Sequence, residues 1–203
     1  MTSGQAKGFW RFAVEQFLTN EVQPYSIRLS LCTLRARAAF VLVLAEVASA
    51  AIETRRGMAA HISASIDLAW RWQETCHVSG EELYDAVVGK EIDDEYSLAG
   101  ALCFVTAIQE PAWTTVTGAL LYIAWQAYVV AGEEVRPEPI CDVSDEDIDL
   151  TVDAAREMLN FNQAAVDRVA AYCTCHHKAA NDKELGEPIS RETMMQVANW
   201  ASV

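Results

Sequence analysis

The sequence predicts an all-α fold: one domain over residues 1–203, a bundle of about seven to nine helices packed around a central apolar helix at residues 112–131. Three observations carry this. Apolar residues recur at steps of three and four along most of the chain, no stretch alternates with the period of a strand, and Pro111 to Gly132 contains no charge at all. Within that uncharged stretch Val116, Leu120, Ile123, Ala127 and Val130 hold one face, while Trp113, Leu121, Ala124 and Tyr128 make the opposite face apolar too. A helix apolar all round belongs inside something. A bilayer is the weaker host, because three threonines and Gln126 interrupt the run and Gly118 to Gly132 falls short of the roughly 18 to 20 residues a span needs.

The remaining elements follow in order. Gln5 to Leu18, with Trp10, Val14 and Phe17 on one side, reads as a short amphipathic helix closed by Pro24. From Ser26, an N-cap residue type, the series Ile27, Leu31, Leu34, Ala38, Val41, Ala45, Ala48, Ile52 predicts one long core helix, with Arg28, Arg35 and Arg37 off the stripe on a solvated face. Gly57 marks a break, and Met58, Ile62, Ile66 and Trp70 form the next helix, ending near Thr75. Ser79-Gly-Glu-Glu82 is a capping box opening a short helix, Gly80 to Val88. The acidic link Glu91 to Glu95 then leads into two apolar helices that meet at Pro111, the first carrying Leu98, Leu102, Val105 and Ile108. Glu110, beside that proline, reads as a cap of the second. After Gly132 comes the clearest loop, EEVRPEPICDVSDEDID, whose Ser144 and Asp145 precede a helix and whose acids suit its positive N-terminal end. Ile148, Val152, Ala155, Leu159, Asn162, Val166, Val169, Cys173 and His176 predict one helix of about 30 residues, roughly 45 Å long. A last short helix spans Ser190 to Trp200.

Charge narrows the function. A net charge of −14 argues against a nucleic-acid backbone as partner and favours a basic protein. The acids of the loop, Asp142, Asp145, Glu146, Asp147 and Asp149, are dense enough to form a binding edge, with Glu91, Asp93 and Asp94 as a second one. Trp72 joins them as a tryptophan of the type enriched in binding hot spots, whereas Trp70 falls on the core stripe. Cys173-Thr-Cys175-His176-His177 has zinc-ligand chemistry, but residues two apart point to opposite sides of a helix, so Cys175 cannot join Cys173 and the histidines. We expect no metal, no cofactor, and reduced thiols, since the start of the chain lacks the charged and apolar regions of a signal peptide. Neither a phosphate loop, a nucleophile elbow nor a dinucleotide fingerprint is present.

A tryptophan-bearing helix end (Asp67-Leu68-Ala69-Trp70-Arg71-Trp72), a short helix with Glu82-Leu83-Tyr84 and the apolar helix pair near Asp94 to Ala131 resemble the all-helical immunity proteins of bacterial polymorphic toxin systems, in particular the sixth numbered immunity family, over roughly residues 26–175. The resemblance implies a cytoplasmic protein without catalysis, made beside a secreted toxin, that binds the toxin domain and blocks it. It transfers no site residue. Two other classes remain open on the residues alone: a helical scaffold or regulatory interaction protein, and a metalloenzyme gathering His61, His77, His176 and His177 from several helices.

Overall fold

A computed structural model describes residues 23–52, 58–88, 110–133 and 136–200. They form nine helices: α1 (Tyr25–Leu29), α2 (Leu34–Ala51), α3 (Met58–Thr75), α4 (Gly80–Val88), α5 (Pro111–Ala131), α6 (Glu138–Cys141), α7 (Asp147–Arg156), α8 (Gln163–His176) and α9 (Arg191–Ala198). No strand occurs among the described residues; Cys32 and Lys178 make an isolated antiparallel bridge. The expected helix at Gln5 to Leu18, the break at Gly57, the acidic link at Glu91 to Glu95 and the helix before Pro111 lie outside the described residues.

The uncharged helix is central. Proline at the first position of α5 has no amide to leave unpaired there, and the helix ends at Gly132. Between them α5 packs against α2, α3, α4 and α7, with Val116, Leu120, Tyr122, Ile123 and Ala124 all buried. By length and composition α5 could cross a membrane, yet most of its apolar window is covered by the other helices. Each large side chain so buried contributes about 1.5–3 kcal/mol. Gly118 sets the approach of α7, because a Cβ there would stand 2.9 Å from Thr151 Oγ1. Glu110 occupies the N-cap position of α5, but its side chain makes no capping hydrogen bond.

The long helix expected from Ser26 to Ile52 is two. Thr33 caps α2, its hydroxyl oxygen accepting from the Ala36 amide, and α1 ends before it. The C-terminal segment holds the turn between them: the amides of Thr33, Leu34 and Arg35 donate to the carbonyls of His177, Glu184 and Leu185, at 2.9, 2.9 and 3.0 Å. Those are the orphan amides every helix start must satisfy. Ser26 is not a cap; its hydroxyl donates to Asp149. Ile27 and Leu31, at the head of the stripe, are exposed in consequence.

The expected 30-residue helix is likewise two, α7 and α8, turning at residues 157–162. Asn162 caps α8 by accepting from the Ala165 amide at 3.1 Å. Trp200 fixes the corner, its indole donating to the Asn160 carbonyl at 2.9 Å and its ring meeting Phe161 edge-on. The capping box stands as read: the Ser79 amide donates to Glu82 Oε2 and the Glu82 amide to Ser79 Oγ.

Arg35 and Arg37 do not form a solvated face. From Leu34 to Ala48 every residue of α2 except Glu46 is buried, the two arginines included. Arg35 Nη1 donates to the Gly186 carbonyl at 3.0 Å. Arg37 lies deeper, and its guanidinium organises the surface described next.

Candidate partner-binding surface

The acids of the loop before α7 divide into two sets. Asp145 turns inward: its Oδ2 accepts from Arg37 Nη1 at 2.6 Å and its Oδ1 from the Tyr122 hydroxyl at 2.7 Å. Gln126 Nε2 in turn donates to the Tyr122 oxygen at 2.9 Å. Arg37 donates further, from Nε to the Cys32 carbonyl at 3.0 Å and from Nη2 to the Ser30 carbonyl at 3.1 Å. Burial pushes the Tyr122 phenol well above its usual value, and the neighbouring Asp145 charge adds to the effect. The network ties α2, α5, the α1–α2 turn and the α7 approach into one unit, so Asp145 is a structural acid.

Asp147 and Asp149 are structural too. Asp147 Oδ2 accepts from the Ser144 amide at 2.8 Å, fixing the first turn of α7. Asp149 receives the start of α1: the amides of Tyr25 and Ser26 donate to its Oδ1 at 2.6 and 3.3 Å. A carboxylate on a helix N-terminus is the favourable arrangement for the backbone dipole, here between two separate helices. A second cluster closes the other side of α1. Asp167 on α8 accepts from the Tyr25 hydroxyl at 2.7 Å and from Arg28 at 2.9 Å. Burial alone would raise the Asp167 carboxyl, but the hydrogen bonds from Arg28, Tyr25 and Gln163 outweigh it and hold the carboxyl below its usual value. Burial and the Asp167 hydrogen bond push the Tyr25 phenol up to about 12.

Asp142 and Glu146 are the outward members of the set. Of the second candidate edge, Glu91, Asp93 and Asp94 lie outside the described residues. Trp72 is only 1% exposed and sits in the hydrophobic core, so the surface role expected for it gives way to packing. Trp70 is also in the core, its indole donating to Glu46 at 2.8 Å. Sequence reasoning missed Arg37 and Tyr122, which position Asp145. The available signal was the unbroken apolar run Ala38 to Ala45 directly after Arg37, since a helix buried all round has no solvated face to offer.

The cysteines and histidines at the end of α8 divide between core and surface. Cys173 is buried with its thiol toward the Ala36 carbonyl, Cys175 is exposed, and Tyr172 stacks near His176 and His177 at 4.9 and 5.4 Å. Among the described residues no group of three or more histidine, cysteine or acidic residues is placed to hold a metal. A cavity of about 210 Å³ opens between α2, α3 and the start of α9, lined by Glu46, Ser49, Ile62, Ile66 and Arg191. It is smaller than the roughly 300–1,000 Å³ of small-molecule sites. Its charges are spent on each other, Arg191 pairing with Glu46 at 2.6 Å and with Asp67 at 2.7 Å.

The family model described as immunity protein Imm6 matches residues 36–158, well over half of the chain. The matched segment starts inside α2 and ends just past α7, and so includes the central helix and the whole acidic loop. No curated protein and no solved structure matches the chain.

Proposed function

The chain belongs to the Imm6 immunity protein family, and from that membership we propose that it protects the cell producing it by binding a cognate toxin domain and blocking it through direct contact. It acts without catalysis and without a cofactor, as a single domain in the cytoplasm, where an incoming or newly made toxin would do its damage. Its partner is a basic protein domain, and neither nucleic acid nor membrane is its target. The family match over residues 36–158 carries this reading. The overall charge supports it. A net charge of −14 repels a phosphate backbone and speeds encounter with a basic protein. The cavity between α2, α3 and α9 is small, and its Glu46 and Arg191 pair with each other.

Co-expression tests it. The protein encoded beside this chain's own gene, induced alone in a heterologous bacterium, should stop growth, and co-induction of the chain should restore it. Growth arrest that persists despite soluble, folded chain would refute the proposal.

A further inference from the structure

Three large apolar side chains stand exposed where α1 meets α7: Ile27 at 55%, Leu31 at 74% and Leu150 at 65%. A single exposed leucine means little. Ile27 lies on α1, Leu31 in the turn after it and Leu150 on α7, and α1 is tied to the α7 region at both ends. Asp149, the neighbour of Leu150, receives the first amides of α1, and the Ser30 carbonyl after α1 shares Arg37 with Asp145. The outward line of α7 continues from Glu146 through Leu150 and Asp153 to Glu157, at spacings of four, three and four, and all four are exposed. The exposed arginine beside this line, Arg156, is paired with Asp153 at 2.6 Å, so it does not offset Glu146, Glu157 or the nearby Asp142. The rim is acidic along α7, while Lys178, bridged to Cys32, stands exposed beside Leu31; an apolar centre within a polar rim is the anatomy of a protein interface.

We propose that the α1–α7 seam is the surface on which the toxin domain docks, with Ile27, Leu31 and Leu150 entering an apolar depression that is ringed by lysine and arginine on the partner. Charge complementarity selects that occupant: the rim carries uncompensated acids, which a second copy of this acidic chain would repel. The proposal rests on the immunity reading above and adds the surface. It also separates the acids by role. Asp145, Asp147 and Asp149 build the seam, and Asp142, Glu146 and Glu157 face the partner.

The test uses the full chain and the protein encoded beside it, in an inactivated form. A photo-reactive benzoylphenylalanine at Leu31 or Leu150 should cross-link to that protein. Leu150→Lys should weaken binding at least about tenfold, mainly through faster dissociation. Glu146→Lys should slow association severalfold at low salt, an effect that fades as the screening length shrinks to about 8 Å near physiological ionic strength. Circular dichroism checks the fold, and the milder Leu31→Ser serves if Leu150→Lys does not fold. Cross-links to a second copy, or to residues 1–22 of the same chain, overturn the proposal. Wild-type binding that none of the variants alters overturns the seam and leaves the immunity reading standing. Failure of the wild-type chain to bind removes both.

Discussion

Replacing Arg37 with methionine separates a solvated arginine from a structural one. The Arg37 side chain is 4% exposed and its donors reach four acceptors: the carbonyls of Cys32, Ser30 and Asp182, and Asp145. Methionine keeps much of the aliphatic stem and removes the guanidinium, so the lost packing is small and the lost polar partners dominate. Breaking a buried pair by deleting one member costs about 3–5 kcal/mol. Asp145 is 35% exposed, so water can resolvate part of its carboxylate, and we lower the figure to about 2–3 kcal/mol. Against a total stability of about 5–15 kcal/mol that is a large fraction. Urea denaturation followed by circular dichroism reads it as a shift in midpoint at constant slope. Asp145→Asn added to Arg37→Met should cost less than the two changes summed, because it removes the charge that Arg37→Met strands. An Arg37→Met protein within about 0.5 kcal/mol of wild type, the usual range for surface changes, would refute the buried network.

Leu120→Asp, which places a charge at a position 2% exposed in the central helix, should abolish soluble folding, and a soluble, fully helical variant would remove α5 from the core. Gly186 has φ +79° and a Cβ there would lie 2.4–2.7 Å from Thr33, so Gly186→Ala should destabilise by about 1–3 kcal/mol in the same denaturation assay. The Tyr25 and Tyr122 phenols are raised above 10, so the folded chain keeps protons that the unfolded chain loses; their contribution is full below pH 10 and is lost as pH rises through about 12 at Tyr25. Stability of wild type should therefore fall from pH 10 to 12 more steeply than that of Tyr25→Phe. Burial raises the Cys32 and Cys173 thiols, so mass spectrometry after native labelling should find exposed Cys141 and Cys175 modified and these two protected until denaturant is added.

The central helix was legible because its signal is local and redundant. An uncharged stretch opened by Pro111 and closed by Gly132 reads the same in any context. The two long stripes misled for a shared reason: α1 with α2, and α7 with α8, continue the same three-and-four spacing across a turn, so periodicity alone cannot see the break. The capping residues Thr33 and Asn162 marked both breaks. The acids were visible in number but not in direction. Asp145, Asp147 and Asp149 turn toward Arg37, the Ser144 amide and the start of α1, and the partners of Asp145 and Asp149 are more than 20 residues away in sequence. The outward role of Leu150 was hidden similarly, since it depends on which face of α7 meets α5, set in part by the approach at Gly118.

Neutralisation by stoichiometric contact has a direct signature in a titration. Fixed toxin domain, assayed for its own activity, should lose that activity linearly as the chain is added and reach zero at a stoichiometric end point, with no dependence on preincubation time beyond binding. Loss of activity that progresses with time at a small fraction of an equivalent of chain would mean catalytic inactivation, and full activity at excess chain would mean no neutralisation; either result contradicts the account.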